Sequence, residues 1–286
     1  MYNLLEKVLV CAADEIDKFE AETGKTIVKV AGVCEETPQA LVEAKLAKKL
    51  GYDAVLLSPG GLAHFSEQQL LERTRAVAGV IPVIGFYLQT AVGGRPLSFE
   101  YWKELAEIEG VTAIKCASFN RYQTLDLVRA VAMSSRADDV ALYTGNDDNI
   151  VLDLLTNYKF TVDDKIYEKR FVGGLLGHWS VWANTVVKLF DRIKSDECPI
   201  SKEMMVLANE VTDCNAAFFD AKNNFAGCIA GLHEVLRRQG LMKNIYCLNP
   251  NETLSEGQLE EINRVYKMYP HLNDDNFVKE FSRNGY

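Results

Sequence analysis

The sequence predicts an α/β protein built on a mostly parallel sheet, with an all-helical region toward its C-terminal end. Three observations carry this expectation. Short apolar runs alternate with amphipathic helical segments from Thr26 to Gly174, and the starts of those runs recur roughly every 26 to 32 residues, the interval of βαβ units. The runs are apolar at consecutive positions, as strands are when helices cover the sheet. Beyond Ala183 the chain is helical in character throughout.

The chain opens with a helix over residues 3–20, its apolar stripe set by Leu4, Leu5, Val8, Leu9, Ala12, Ile16 and Phe19 and its end by Gly24. Thr26 to Gly32 follows as a β-rich run. Thr37-Pro38 then caps and starts a helix that Gly51 closes. A strand at 54–58, a Pro-Gly-Gly turn and a helix from Ser66 to Ala78 come next. The unit repeats with strands at 82–87, 112–117 and 139–144, each followed by a helix, at 98–109, 124–134 and 149–157. A loop of about a dozen polar and charged residues precedes the last strand. That strand is placed either at Phe171-Val172-Gly173 or at Gly177-His178-Trp179-Ser180. Helices are expected over 185–194, 201–219, 223–239 and 256–269, with breaks at Pro199 and Gly240. The expected division is a (β/α) region over 1–195 and a helical region over 196–286. Six strands fit either an open doubly wound sheet or part of a (β/α)8 barrel. No G-x-G-x-x-G or G-x-x-x-x-G-K-[ST] follows a strand, which weighs against dinucleotide and P-loop versions.

Composition narrows the function classes. A net charge of −9 argues against nucleic acid or an anionic membrane surface as partner. No apolar run approaches the roughly 20 residues of a membrane span, and no signal-peptide pattern opens the chain. The seven Cys (11, 34, 116, 198, 214, 228 and 247) are scattered, odd in number and without a C-x-x-C pair, the usage of a reducing cytoplasm. The four His (64, 178, 233 and 271) share no metal-ligand spacing with each other or with Cys, so no metal site is expected. Ser58 has no His partner at a strand tip, which leaves a hydrolase triad unsupported.

In parallel α/β folds the reacting groups sit at the C-terminal ends of strands. Two such ends, Tyr87 and Lys115, are rich in chemistry and lie on successive strands, which are usually neighbours. Lys115 is embedded in Ala113-Ile114-Lys115-Cys116-Ala117. An ammonium held there loses hydration, its pKa falls, and the neutral amine attacks a ketone to form a Schiff base. The alternative is a lysine that snorkels its head into solvent. A Tyr87 hydroxyl beside the amine would relay protons; otherwise the ring simply fills space. Lys29 is the control: it too lies in an apolar run, but before the strand's end, and is expected to point into a helix–sheet groove. Gly145 and Asn146 lie in a turn that either approaches a ligand or only caps a helix. Gly173 and Gly174 either offer N–H groups to a carboxylate or allow close packing. His178 is either a pocket donor or a hydrogen-bonded core residue.

Three segments, Pro82-Val83-Ile84-Gly85-Phe86-Tyr87, Ile114-Lys115-Cys116-Ala117-Ser118 and Tyr143-Thr144-Gly145-Asn146-Asp147-Asp148, give the chain a family likeness. It resembles the dihydrodipicolinate synthase and N-acetylneuraminate lyase family of class I, Schiff-base aldolases, over residues 1–245. The Tyr87-to-Lys115 separation matches the family's tyrosine-to-lysine separation. The resemblance implies a (β/α)8 TIM barrel whose first two strands have no counterpart in this chain. It implies Lys115 as the imine-forming nucleophile, Tyr87 as the proton shuttle, and backbone near Gly173 on the substrate carboxylate. The implied enzyme is a lyase or aldolase acting on a 2-oxo acid such as pyruvate, or on a keto-sugar-acid adduct. It needs no cofactor, since the imine is the electron sink, and it is a cytoplasmic homo-oligomer, dimer or tetramer. The chain departs from the pattern in three places. The family's Tyr-Asn-x-Pro reads Tyr87-Leu88-Gln89-Thr90, a second relay tyrosine gives way to Pro59-Gly60-Gly61-Leu62, and the arginine of the lysine-biosynthesis enzymes is Val92, with Arg95 nearby. Two other readings stay open: a barrel binding phosphate or flavin, and a barrel relic acting as a binding or assembly subunit.

Overall fold

The computed structural model describes residues 4–195 and 200–283; the break expected at Pro199 lies outside them. The chain divides into two compact units, Met1–Tyr143 with Tyr158–Arg170, and Thr144–Asn157 with Phe171–Tyr286. The boundary expected at 195/196 falls inside the second unit.

The first unit alternates helix and strand as the sequence predicts: α1 (Leu5–Thr23), β1 (Val30–Val33), α2 (Thr37–Lys49), β2 (Ala54–Leu57), α3 (Glu67–Ala78), β3 (Val83–Leu88), α4 (Phe99–Ala106), β4 (Val111–Ala117), α5 (Arg121–Ala132) and β5 (Ala141–Thr144). Two further strands, β6 (Asn157–Val162) and β7 (Lys165–Gly174), give a seven-stranded sheet in the order β1-β2-β3-β4-β5-β7-β6. The pairs β1–β2, β2–β3 and β3–β4 are parallel. Parallel strands that follow one another in sequential order, joined by right-handed crossovers, carry their helices on one face. That is the winding of a barrel; a doubly wound sheet reverses its order. Burial agrees, because Val33, Val55, Val83, Ile114 and Cys116 on the helix side are fully buried, whereas Leu56, Phe86 and Lys115 on the other face are half-buried.

Local chemistry sets the element ends. Gly24, at φ 68°, closes α1 in the left-handed conformation that glycine adopts without strain. Ser66 and Gln69 form a reciprocal capping box at the start of α3. α5 begins at Arg121 rather than Thr124, because the Asn120 carboxamide oxygen accepts from the N–H groups of Tyr122 and Gln123. Thr37 does not cap α2: the N-cap is Glu36, and Pro38 sits in the first turn.

Two larger features also depart from the sequence expectation. The polar loop before Arg170 is a β-hairpin, β6 to β7, turned by Asp163 and Asp164 at φ 49° and 60°. Two consecutive positive φ values mark the turn whose twist matches its flanking strands. β7 runs to Gly174, so the last strand is the Phe171–Gly173 alternative, and Gly177–Ser180 is a short 3-10 turn. The second departure is in β3–β4. Val83 pairs with Val111, but Ile84 pairs with Ala113, so Thr112 is an extra residue and the register slips by one.

The second unit holds α6 (Ile150–Leu155), α7 (Ala183–Lys194), α8 (Lys202–Phe218), α9 (Cys228–Arg238), α10 (Gln258–Met268) and α11 (Asp275–Arg283). Its core centres on Trp182, whose ring meets Phe218 at 5.0 Å and Tyr266 at 5.2 Å, both edge-on. The Arg264 guanidinium on α10 grips Asp213 on α8 through two hydrogen bonds of 2.7 and 2.8 Å. That fork holds the Asp213 carboxyl below its ordinary range. α9 starts at Cys228, later than the 223 expected, because Asp220, Asn224 and Phe225 all take positive φ and break the helix there.

Candidate active site

Lys115 lies in β4, whose alternate side chains divide between two environments. Cys116 places its Sγ 3.7 Å from the Thr124 hydroxyl of α5, so Cys116 faces the helices and Lys115 faces away from them. Phe86 is its partner in the parallel register, and Lys115 Nζ stands 4.4 Å from the centre of the Phe86 ring. A cation over an aromatic face is attracted by the ring quadrupole. Lys115 is half-buried, near the C-terminal end of a central strand.

The expectation that the Tyr87 phenol lies beside this amine is not met. Tyr87 pairs with Cys116 and so points to the helix side. Its ring packs 4.7 Å from that of Trp102 on α4, and its hydroxyl accepts from the Leu97 N–H at 3.4 Å. Burial pushes the phenol's pKa up. The cause is the slip at Thr112. In the Val83–Val111 register Tyr87 would pair with Lys115; one extra residue puts Phe86 there instead, because a one-residue slip exchanges the faces. Sequence spacing alone carries no trace of a bulge, and so Phe86 was missed.

Lys29 behaves as expected of a control. Its amine is paired with the Asp17 carboxylate of α1, and its N–H donates to Asp53 at 2.7 Å.

The remaining candidates belong to the second unit. Asn146 is fully buried and its amide donates to Asp153 at 2.9 Å, alongside the Thr144 hydroxyl at 2.7 Å. Asp153, which the sequence reading missed, thus collects the polar groups of the turn that includes the buried Gly145. The helix-turn alternative accounts for these contacts. Gly174 accepts from the Trp179 indole N–H at 2.6 Å, and a Cβ there would stand 2.7 Å from that nitrogen. The close-packing alternative therefore explains Gly174; Gly173 beside it is buried. His178 is buried, with Nδ1 2.8 Å from the Asn215 carboxamide oxygen, and its own N–H donates to Asp147 at 3.1 Å. Asn215 in turn donates to the Asp147 carbonyl at 2.9 Å. This orients Asn215 so that His178 carries its proton on Nδ1, leaving an unprotonated, buried Nε2 with no hydrogen-bond partner among the described residues. Burial pulls the imidazole pKa down to about 4.

Among the described residues, no group of three or more His, Cys, Asp or Glu is placed to hold a metal ion, and no helix is long and apolar enough to cross a membrane. What the first unit offers is one amine in a half-dry, aromatic-lined position. A sequence model described as the Dihydrodipicolinate synthetase family matches residues 15–268. The chain belongs to that family. It is a family of Schiff-base lyases and synthases, and the chain is an enzyme of that class. N-acetylneuraminate lyase 2 of Escherichia coli is 23% identical over 265 residues, which span 91% of this chain and 75% of that protein. A 4-hydroxy-tetrahydrodipicolinate synthase of Clostridium perfringens is 28% identical over 179 residues, 57% of this chain and 58% of that one. The crystal structure of a dihydrodipicolinate synthase from Acinetobacter baumannii complexed with pyruvate superposes with a TM-score of 0.71 at 20% identity. It covers 93% of this chain and 81% of the other. The fold is that of the family's (β/α) barrels.

Proposed function

We propose that the chain is a Schiff-base lyase or aldolase in which Lys115 attacks the ketone of a 2-oxo acid, such as pyruvate or the keto acid of a sugar-acid adduct. The supporting observation is the setting of Lys115: a central-strand amine turned away from the helices, against the face of Phe86. The step is balanced without an added cofactor. The amine nitrogen bonds to the carbonyl carbon, the carbonyl oxygen leaves as water with two protons from the nitrogen, and the resulting imine withdraws the electron pair of the adjacent C–C or C–O bond. A pyruvate-bound relative supports this substrate class. In the second unit we assign the buried Nε2 of His178 as a hydrogen-bond acceptor.

The test is borohydride reduction in the presence of pyruvate, followed by peptide mass mapping. Label on Lys115 is expected; label elsewhere or none removes the proposal. The free thiols of Cys11, Cys34, Cys116, Cys214, Cys228 and Cys247 support a reducing, cytoplasmic location. We also propose a homo-oligomer, dimer or tetramer, which light scattering on the full chain reads directly and a monomer would exclude.

A further inference from the structure

We infer that Tyr143 of β5, not Tyr87, supplies the proton-relay phenol for imine chemistry at Lys115. This rests on the proposed role of Lys115 and deepens it. β5 lies next to β4 in the sheet, and α5 crosses between them. Leu142 is fully buried, as Ile114 and Cys116 are on the helix side of β4. Tyr143, the next residue, is turned the other way and is half-buried, as Lys115 is. Lys115 and Tyr143 therefore share one face of two adjacent strands, which lie about 4.8 Å apart, each near its strand's C-terminal end.

Elimination points the same way. On that face of β1–β4 the positions other than Lys115 are apolar or glycine, save Thr112 at the slip, whose hydroxyl donates to the Val83 carbonyl at 3.5 Å, and Ser58 just past β2. Its hydroxyl oxygen is already taken by the Gly60 N–H at 3.1 Å. The Tyr87 hydroxyl is committed to Leu97, whereas the Tyr143 hydroxyl makes no hydrogen bond to another described residue. The slip at Thr112 that turned Tyr87 outward leaves Tyr143 as the phenol on the amine's face of β3, β4 and β5.

In the step assigned, the amine adds to the ketone and the phenol gives its proton to the oxygen as it becomes a hydroxyl. The phenolate recovers a proton from the nitrogen, and a second transfer by the same route releases that hydroxyl as water. No proton is gained or lost overall, and nothing is oxidised.

The experiment is the pyruvate-dependent borohydride labelling of Lys115 in the full chain and in the Tyr143→Phe and Tyr87→Phe variants, with Tm measured for each. Tyr143→Phe is expected to slow labelling by about 10² or more, the scale of general acid–base assistance, with Tm unchanged. A small general acid such as imidazolium in the buffer should restore part of the rate. Tyr87→Phe is expected to label within about twofold of the unaltered chain. Labelling of Tyr143→Phe at the unaltered rate, or slow labelling of Tyr87→Phe alone, overturns the inference. If Tyr143→Phe fails to fold, Tyr143→His, which keeps a proton carrier there, must label faster than Tyr143→Leu, and equal rates overturn it. A failure of the unaltered chain to label overturns the Lys115 reading itself and is thereby told apart.

Discussion

On the helix-covered face of β3 and β4, Tyr87 is 1% exposed, closed in by Trp102 and tied to Leu97. On the opposite face, one residue earlier in each strand, Phe86 and Lys115 meet half-buried. The helix side is closely packed, and the Tyr87 hydroxyl there is bonded to the Leu97 N–H. The other side keeps an amine against the face of Phe86. On the proposed reading, side chains of the same chemical kind serve stability on one face and chemistry on the other, and the face is decided by register rather than by residue type. Substitutions on the two faces should separate cleanly between the two observables, rate and stability.

The largest expected effect is on the amine. Lys115→Met keeps the length and apolar stem but removes the nucleophile, so turnover and labelling should fall by about 10⁴ or more, the scale of losing a catalytic nucleophile. Thermal unfolding should change little, because a half-buried charge is exchanged for a thioether. An active Lys115→Met protein would break the comparison at its root.

Next comes Tyr87. Tyr87→Ala empties a fully packed site and should cost about 3–5 kcal/mol in urea unfolding, the range for buried aromatics. Tyr87→Phe removes only one hydrogen bond and should cost about 1 kcal/mol. Neither should slow labelling of the folded fraction by more than about twofold. A rate loss at Tyr87 with stability intact would mean that the helix side takes part in catalysis.

Much of this was legible beforehand. The alternation of Ala54–Leu57, Val83–Leu88 and Val111–Ala117 with helical segments marks the sheet and its parallel order, and its apolar strand singles out Lys115 as the candidate. What sequence did not carry was the Thr112 bulge, which costs nothing in composition and leaves the 28-residue spacing of Tyr87 and Lys115 untouched. The β6–β7 hairpin was missed for a different reason. Its Asp163-Asp164 turn is polar and its strands alternate between exposed and half-buried, so it reads as a loop unless Tyr158, Phe160 and Val162 are scored at a period of two. Asp153 and Asn215 are distant in sequence from the groups they hold, and no local pattern marks them.

The same contrast between closed and open polar groups extends to His178 in the second unit. Its folded pKa of about 4 lies below the unfolded value near 6.5. Between these values the unfolded chain binds more protons than the native one, so stability is full above pH 6.5 and is lost as pH falls toward 4. The slope approaches about 1.4 kcal/mol for each pH unit. Comparing urea midpoints at pH 7 and 5.5 for the parent and for His178→Gln isolates this component, since few carboxylates titrate in that window. Equal slopes would mean that the imidazole is protonated in the native state and that Nε2 is not an open acceptor.

The smallest effect sharpens the comparison between the two strand lysines. Lys29 has a side chain 12% exposed, but its Asp17 partner is 59% exposed, so solvent screens the pair and ions screen it further. Lys29→Met should lower the Tm only slightly, the decrement should shrink as salt is raised, and pyruvate labelling of Lys115 should proceed at the parent rate. A lysine in an apolar strand is thus not reactive for being there. It matters which face it takes. If Lys29→Met instead slowed labelling, the field of the whole sheet, rather than the local setting of Lys115, would be governing the amine, and the distinction between the faces would fail.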